Sequence, residues 1–102
     1  MGRQPNSASK GGQFDADTIT AVWNKAQIVS GYDAAVYRKD CCGAWIKRSE
    51  YGQTTKYGWE IDHIVPVSKG GTDRLDNLQP LQWQNNRHKG ENHPHWQCAV
   101  TA

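Results

Sequence analysis

Apolar positions in the first half of the chain predict one helix followed by less regular structure. Over residues 15–29, apolar side chains return every three or four positions, which is the period of an amphipathic helix. Asp15 or Asp17 is suited to cap its N-terminus. Residues 32–40 fit either a short helix or an irregular link, whereas residues 44–51 alternate loosely in the manner of a strand. We expect the first helix to pack against a core and to carry no chemistry.

The second half has short apolar runs separated by glycine and proline. Residues 59–67 favour a strand that ends or kinks at Pro66. The polar stretch 68–76 follows, and its Gly70-Gly71 pair is typical of a loop. The pattern therefore indicates a strand that runs directly into a glycine-containing loop.

After this loop the chain has room for a very short strand at 78–80 and then good helix formers over 81–89. Pro80 suits the first turn of that helix, because its missing N–H is not needed there. Residues 96–100 fit either a further strand or a segment that folds back onto the core. The predicted order of helix, strands and helix indicates an α+β fold.

Length and composition indicate one small domain. The chain has 102 residues, with five Trp and four Tyr as large core candidates. Residues 1–13 are rich in Gly, Ser, Asn and Gln without apolar period, so we expect a disordered tail and a single domain over 14–102.

Charge and cysteine content add weak constraints. Twelve basic and ten acidic residues leave a net charge of +2, which is no strong nucleic-acid signal. No apolar run resembles a signal peptide or approaches the about 20 residues of a membrane span, so we expect no membrane partner. Three cysteines are an odd number, which argues against a disulfide framework and favours a reducing cytoplasm.

Candidate chemistry is concentrated in residues 58–89, GWEIDHIVPVSKGGTDRLDNLQPLQWQNNRHK. His63 can accept a proton from water near neutral pH. Asp62 offers the hard anionic oxygen that Mg²⁺ or Mn²⁺ prefers, and Asn86 offers a neutral amide oxygen. Adjacent strand residues point to opposite faces, so Asp62 and His63 can share a site only if the backbone bends there.

Two further residues support this arrangement. The Asn77 side chain can hydrogen-bond the loop backbone and pin the two strands, which would fix His63 indirectly. Lys89 is three residues beyond Asn86, so both lie on one helix face and Lys89 could hold a phosphate. Each residue taken alone is more often an ordinary structural or surface residue.

Taken together, the motifs resemble those of the HNH endonuclease family. Asp62-His63-Ile64 with Pro66 resembles the opening of the family motif, Gly70-Gly71 its loop glycines, and Asn77-Leu78 its middle pair. Asn86 stands at the final position, which is His or Asn in the family, and Lys89 matches a lysine three residues later. This region is about a third of the chain, and residues 41–59 also resemble the lead-in of bacterial members.

The resemblance implies a ββα-metal core of hairpin, loop and helix over 58–90, accompanied by the N-terminal packing helix. It implies a metal-dependent endonuclease that cleaves DNA in a bacterial or phage cytoplasm. Asp62 and Asn86 would hold one divalent ion, Mg²⁺ or Mn²⁺. His63 would be the general base and Asn77 would orient the loop. Whether two chains pair, or a partner supplies specificity, is left open.

The chain departs from the family pattern at the zinc site that many members carry. Gln82 and Asn85 stand where the second CxxC pair would be, so we expect no structural zinc. Packing of tryptophans is expected to replace it, by Trp45, Trp59, Trp83 and Trp96. An unusual zinc site made from the remaining cysteines and histidines is a less favoured alternative, from Cys41, Cys42, Cys98, His93 and His95.

Basic residues near the motif are the candidate nucleic-acid contacts, namely Arg87, Lys89, Lys69, Arg48 and Lys47. The chain has no additional recognition element, so low sequence specificity is expected. The main alternative is an inactive HNH-like module that binds nucleic acid. A small zinc-stabilised structural domain is a third hypothesis.

Overall fold

The computed structural model describes residues 4–102 and confirms the predicted α+β class. Within that range it has two helices and two antiparallel two-stranded sheets. In chain order these are α1 (Ala16–Trp23), β1 (Tyr37–Lys39), β2 (Trp45–Lys47), β3 (Trp59–His63), β4 (Leu78–Gln82) and α2 (Trp83–Lys89). Short 3-10 turns follow β2 and lie on either side of the glycine loop, at Arg48–Glu50, Val67–Lys69 and Leu75–Asn77. No helix over residues 4–102 has the length and apolar character needed to cross a membrane.

Helix α1 begins where the sequence predicts and ends six residues early. The Asp15 side chain accepts a hydrogen bond from the Thr18 backbone N–H at 2.7 Å, which caps the helix. The helix stops at Trp23 because the following chain pairs with β1, where Gln27 and Lys39 exchange two backbone hydrogen bonds. Long-range pairing thus overrides the helical period of residues 24–29.

The first sheet is a hairpin of β1 and β2, so the alternatives considered for residues 32–40 omitted a strand. Tyr37 pairs with Lys47, and Lys39 pairs with Trp45. The central pair, Arg38 and Ile46, points into the protein. The side chains on either side of it lie on the outer face of the hairpin.

The second sheet pairs β3 with β4, and β4 is longer than predicted. Pro80 lies in the middle of β4 opposite Ile61 and does not begin a helix, so α2 starts at Trp83. Each sheet has two strands only, so the proline nitrogen can face away from the partner strand, as it must without an N–H. Gln82 caps α2 by accepting hydrogen bonds from the next backbone N–H groups.

The core lies between α1 and the two sheets. Trp59 is fully buried, and its ring centroid is 5.4 Å from that of Trp23 in α1. Val22, Ile46 and Leu78 are also fully buried in the same cluster. Among the four tryptophans expected to replace zinc, only Trp59 belongs to this core. That expectation is therefore corrected for the other three.

A buried carboxylate instead joins the segments around Gln82 and Asn85, where the sequence lacks the second CxxC pair. Asp40 is 1% exposed and accepts four hydrogen bonds of 2.9–3.0 Å. Two come from the backbone of Cys42 and Ala44, and two come from Gln82 N–H and the Asn85 side chain. These bonds tie the β1–β2 turn to the end of β4 and the start of α2.

The C-terminal segment folds back onto the same region, which was one of the two alternatives for residues 96–100. Asn85 accepts hydrogen bonds from the backbone N–H groups of Ala99 and Val100. A disulfide joins Cys42 to Cys98 across 56 positions. The odd cysteine count argued against a disulfide framework, but it does not exclude this single disulfide. The cysteine argument for a reducing compartment therefore no longer holds. The bonded sulfurs are also unavailable as zinc ligands.

The N-terminal segment also differs from expectation. Residues 1–3 of the predicted disordered tail lie outside the described residues, but residues 4–13 contact the domain. The Asn6 side chain accepts hydrogen bonds from Ile61 N–H at 2.7 Å and from the Tyr51 hydroxyl at 2.9 Å. Ser9 bonds to Asp73 in the glycine loop. The segment is held by polar contacts with β3 and the loop. Such contacts leave no periodic pattern of apolar residues in the sequence, so they could not be predicted from it.

Candidate active site

Strand β3 and helix α2 bring the three main candidate residues to one cavity. Asp62, His63 and Asn86 all line a cavity of about 270 Å³ beside the N-terminal segment. Asp62 is the fourth residue of β3 and His63 the last, where the strand enters the loop. Both residues reach the cavity although β3 pairs regularly with β4 as far as His63.

His63 is buried and held by a carboxylate. Its side chain is 7% exposed, and Nε2 lies 2.7 Å from Asp73 Oδ1. An ionised carboxylate only accepts hydrogen bonds, so the neutral ring carries its proton on Nε2. Nδ1 is then the nitrogen that can accept a proton from water. Asp73 was not among the predicted site residues, because it lies ten residues away in a polar loop with no pattern that marks it.

Asp73 is in turn held by the N-terminal segment. It accepts hydrogen bonds from the Ser9 backbone N–H at 3.0 Å and from the Ser9 hydroxyl at 2.8 Å. Partial burial tends to raise the Asp73 pKa, but the hydrogen bonds from His63 and Ser9 outweigh it, and the net pKa is lowered. Asp73 is therefore a stable anionic partner for His63.

Asp62 is buried between β4 and α2. It is 6% exposed and accepts a hydrogen bond of 3.0 Å from Gln79 Nε2. Lys89 Nζ lies 3.2 Å from each Asp62 oxygen. Burial raises the Asp62 pKa, and the contacts with Gln79 and Lys89 offset this in part.

Lys89, which was predicted to hold a phosphate, lies in the interior of the protein. Its side chain is 1% exposed, and Nζ also donates to the His63 backbone carbonyl at 3.0 Å. Helical spacing does place Lys89 on the same side as Asn86, as predicted. That side faces the sheet, so the ammonium group holds Asp62 and the end of β3.

Asn86 presents its oxygen to the cavity because its nitrogen is engaged. Nδ2 donates to Glu60 Oε1 at 2.9 Å. Because an ionised carboxylate only accepts hydrogen bonds, the amide nitrogen of Asn86 must be the atom that faces Glu60. No described residue donates a hydrogen bond to Asn86 Oδ1. Every fully buried side-chain oxygen and nitrogen in the described range has a hydrogen-bond partner, so an oxygen without one cannot be fully buried. The Asn86 oxygen is therefore open to solvent in the cavity.

The cavity wall includes side-chain oxygens of the kinds that divalent cations bind. Asp62 offers anionic oxygen and Asn86 a free amide oxygen on the wall of the same cavity. Over residues 4–102 no group of three or more His, Cys, Asp or Glu side chains is arranged to hold a metal. Mg²⁺ retains several waters and is often held by one or two protein oxygens together with substrate phosphate, so two protein ligands suffice for it.

Glu60 is the other functional candidate that the sequence argument missed. It is 3% exposed, and it accepts hydrogen bonds of 2.9 Å from Asn86 and from Arg87. Strand alternation could have found it, because Glu60 and Asp62 lie two apart and share the face toward α2. Glu60 orients Asn86 and neutralises Arg87, whose side chain remains 44% exposed.

Asn77 makes the loop contacts expected of it. Its Oδ1 accepts from Val65 N–H at 2.9 Å, and its Nδ2 donates to the carbonyls of Val65 at 3.1 Å and Thr72 at 2.9 Å. Gly71 is needed in this loop, because a Cβ there would lie 1.7 Å from the Val65 carbonyl oxygen. Together these features close the loop that carries Asp73.

The remaining basic candidates do not converge on the cavity. Among the five predicted contacts, only Arg87 lines it. Lys69 is exposed on the loop, and its Nζ donates to the His93 carbonyl at 3.4 Å. Arg48 lies over the Trp59 ring at 6.0 Å and Lys47 over the Tyr37 ring at 5.7 Å. These two residues could contact nucleic acid only outside the cavity.

Comparison with known protein families gives one match. A family model for the HNH endonuclease matches residues 40–92, which is more than half of the chain. The chain therefore belongs to the HNH endonuclease family. No curated protein and no solved structure matches it.

Proposed function

We propose that this protein is a metal-dependent endonuclease that hydrolyses phosphodiester bonds of DNA, by nicking or by cutting both strands. The observation that carries this proposal is the presence of Asp62, His63 and Asn86 on the wall of one cavity. They provide a base, an anionic oxygen and a neutral oxygen, which is the minimal set for hydrolysis at one metal ion. Family membership supports the same chemistry.

His63 acts as the general base in this proposal. Nδ1 accepts a proton from the attacking water, and Asp73 at Nε2 stabilises the positive charge that develops on the ring. Because Ser9 and the loop hold Asp73, the imidazole is oriented before substrate arrives. Asn77 acts through the loop as a positioning residue.

Asp62 and Asn86 would hold the divalent ion, Mg²⁺ or Mn²⁺. The bound ion would stabilise negative charge on the phosphate and on the leaving 3′ oxygen. Glu60 keeps the Asn86 oxygen turned to the cavity by accepting from its nitrogen. Lys89 keeps Asp62 in place through its ion pair and also binds the His63 carbonyl.

DNA phosphates are the proposed partners of the accessible cations. Arg87 lines the cavity with part of its side chain exposed, and Lys69 stands on the adjoining loop. Arg48 and Lys47 would extend the contact away from the cavity. Such contacts add affinity without reading sequence, so we expect low sequence specificity.

Cleavage of supercoiled plasmid tests the proposal most directly. Wild type should convert supercoiled to nicked or linear DNA with Mg²⁺ or Mn²⁺ and not with EDTA. His63→Ala should reduce the rate by about 100-fold or more, since general bases contribute about 100- to 10,000-fold. His88→Ala is the matched control, because His88 is exposed on α2 and does not line the cavity.

The outcome also separates the alternatives. Circular dichroism and thermal unfolding should show that His63→Ala and wild type are equally folded. A folded wild type that binds DNA and cuts with neither metal would favour the inactive HNH-like binding module. Normal cleavage by His63→Ala would contradict the general-base assignment.

A further inference from the structure

Four aromatic rings lie together on the outer face of the β1–β2 hairpin and its flanks. They belong to Tyr32, Tyr37, Trp45 and Tyr57, and neighbouring centroids are 4.7–6.5 Å apart. Three lysines, Lys39, Lys47 and Lys56, lie over these rings. We call this surface the aromatic face. None of its residues lines the cavity that holds His63.

Hairpin register produces the alternation of rings and ammonium groups. Tyr37 is paired with Lys47, and the Lys47 Nζ lies 5.7 Å from the Tyr37 ring centroid. Lys39 is paired with Trp45 at 4.8 Å. Because directly paired residues point to one side of a sheet, each strand contributes one ring and one cation to the same face.

The aromatic face is partly exposed, and its lysines form no ion pair with another residue in the range 4–102. Tyr32 is 53% exposed although its ring packs 4.7 Å from that of Trp45. The four ion pairs found over residues 4–102 involve none of the three lysines. The core requires only the opposite side of the hairpin, where Arg38 and Ile46 are buried. Core packing therefore does not account for this arrangement.

We propose that the aromatic face binds a single strand of nucleic acid, with bases stacked on the rings and phosphates on the lysines. Aromatic side chains interleaved with cations are how proteins hold single strands without reading sequence. A lysine can leave its ring for a phosphate while a base takes its place. A duplex would use the lysines only, because its bases are already stacked on one another.

This inference deepens the proposed function, since it rests on a nucleic-acid substrate. It specifies that an unpaired stretch of the substrate is held apart from the cavity. Structures with single-stranded gaps, flaps or displaced strands would then be preferred over continuous duplex. Lys47, an expected phosphate contact, would serve on this face.

Fluorescence anisotropy in EDTA tests binding without cleavage. The probe is a labelled DNA strand of about 12 nucleotides, a length within the usual range for one such surface. Tyr32→Leu and Trp45→Leu should each weaken binding by roughly 5- to 150-fold, the range that follows from one lost base stack. Tyr32→Phe and Trp45→Phe keep a ring and should bind as wild type does. Trp96→Leu is the control for an aromatic residue outside the face.

Salt dependence tests the lysines separately. For a single strand, each phosphate contact adds about 0.7 to the slope of log affinity against log salt. Lys39→Gln and Lys47→Gln should each reduce the slope by about that amount, whereas Lys10→Gln, on the exposed N-terminal segment, should leave it unchanged. A blunt duplex of the same sequence should bind more weakly and ignore the ring substitutions.

Equal binding of strand and duplex, together with wild-type affinity in both leucine variants, would overturn the proposal. So would full displacement of the strand by polyglutamate at equal charge, which would indicate an acidic polypeptide as the occupant. Because EDTA is present throughout, the result is separate from the cleavage test. Strand binding without plasmid cleavage would support this inference and contradict the proposed function. Plasmid cleavage without strand binding would support the proposed function and contradict this inference.

Discussion

Replacement of Asn77 by alanine should destabilise the protein through the loop between β3 and β4. The Asn77 amide makes three hydrogen bonds, accepting from Val65 N–H and donating to the carbonyls of Val65 and Thr72. Their lengths are 2.9, 3.1 and 2.9 Å, so none is marginal. Alanine removes all three and leaves the loop without its cross-brace.

The expected loss follows from the number of bonds and their exposure. A typical hydrogen bond contributes about 1 kcal/mol, so three contribute about 3 kcal/mol. Asn77 is half-buried, and water can satisfy part of what is lost. We therefore expect the free energy of unfolding to fall by about 2 kcal/mol, or the Tm by roughly 10 °C.

Urea unfolding of three variants measures this loss. Asn92→Ala, an exposed substitution just after α2, should remain within about 0.5 kcal/mol of wild type. Asn77→Asp retains the acceptor for Val65 N–H but turns a carboxylate oxygen toward two carbonyls. It should lose at least as much stability at neutral pH as Asn77→Ala.

Plasmid cleavage should fall in both Asn77 variants, because the same loop carries Asp73 to His63. An Asn77→Ala protein as stable as Asn92→Ala would refute the hydrogen-bond argument. Wild-type stability of Asn77→Asp would show that the two donated bonds contribute nothing. Normal cleavage by a destabilised but folded variant would refute the link between the loop and His63.

Three further predictions concern stability. Reducing the disulfide between Cys42 and Cys98 should lower the free energy of unfolding by about 2–4 kcal/mol. The reason is that the intact bond closes a long loop and so restricts the unfolded chain. Equal guanidinium midpoints with and without reductant would contradict this. Asp40→Asn should lower the free energy of unfolding by about 4 kcal/mol in the same measurement, because an amide cannot accept all four hydrogen bonds. A loss of stability smaller than that of an exposed substitution would refute this prediction. The lowered Asp73 pKa implies stability that is present above the ordinary value of 3.8 and lost as pH falls through the folded pKa. Asp73→Asn should therefore flatten the decline in Tm on acidification, and an unchanged slope would show that the hydrogen bonds from His63 and Ser9 do not favour the ionised form.

Local features were predictable because neighbouring residues alone determine them. The Asp15 cap needs only a short acceptor before a helical period and the N–H three residues later. Gly70-Gly71 identified the loop because glycine tolerates backbone geometries that other residues avoid. The motif spacing was sufficient to nominate Asp62, His63 and Asn86, and the structure places all three on one cavity.

Features that depend on distant partners were not predictable in the same way. The end of α1 is decided by pairing of Gln27 with Lys39, which the helical pattern of residues 24–29 does not record. Pro80 suits a helix start by local rules, yet pairing with Ile61 places it in β4. In both cases hydrogen bonds to another segment outweigh a local preference.

The chemistry of the site shows the same division. Sequence by itself determined which residue types are available and that Asp62 and His63 lie in a strand-like run that leads into a loop. Only the structure ends that strand at His63. Only the tertiary structure decided that Lys89 is buried against Asp62 and that Asp73 orients His63. The physical reason is that burial and hydrogen bonding depend on which segments the fold brings together, and those segments are far apart in the chain.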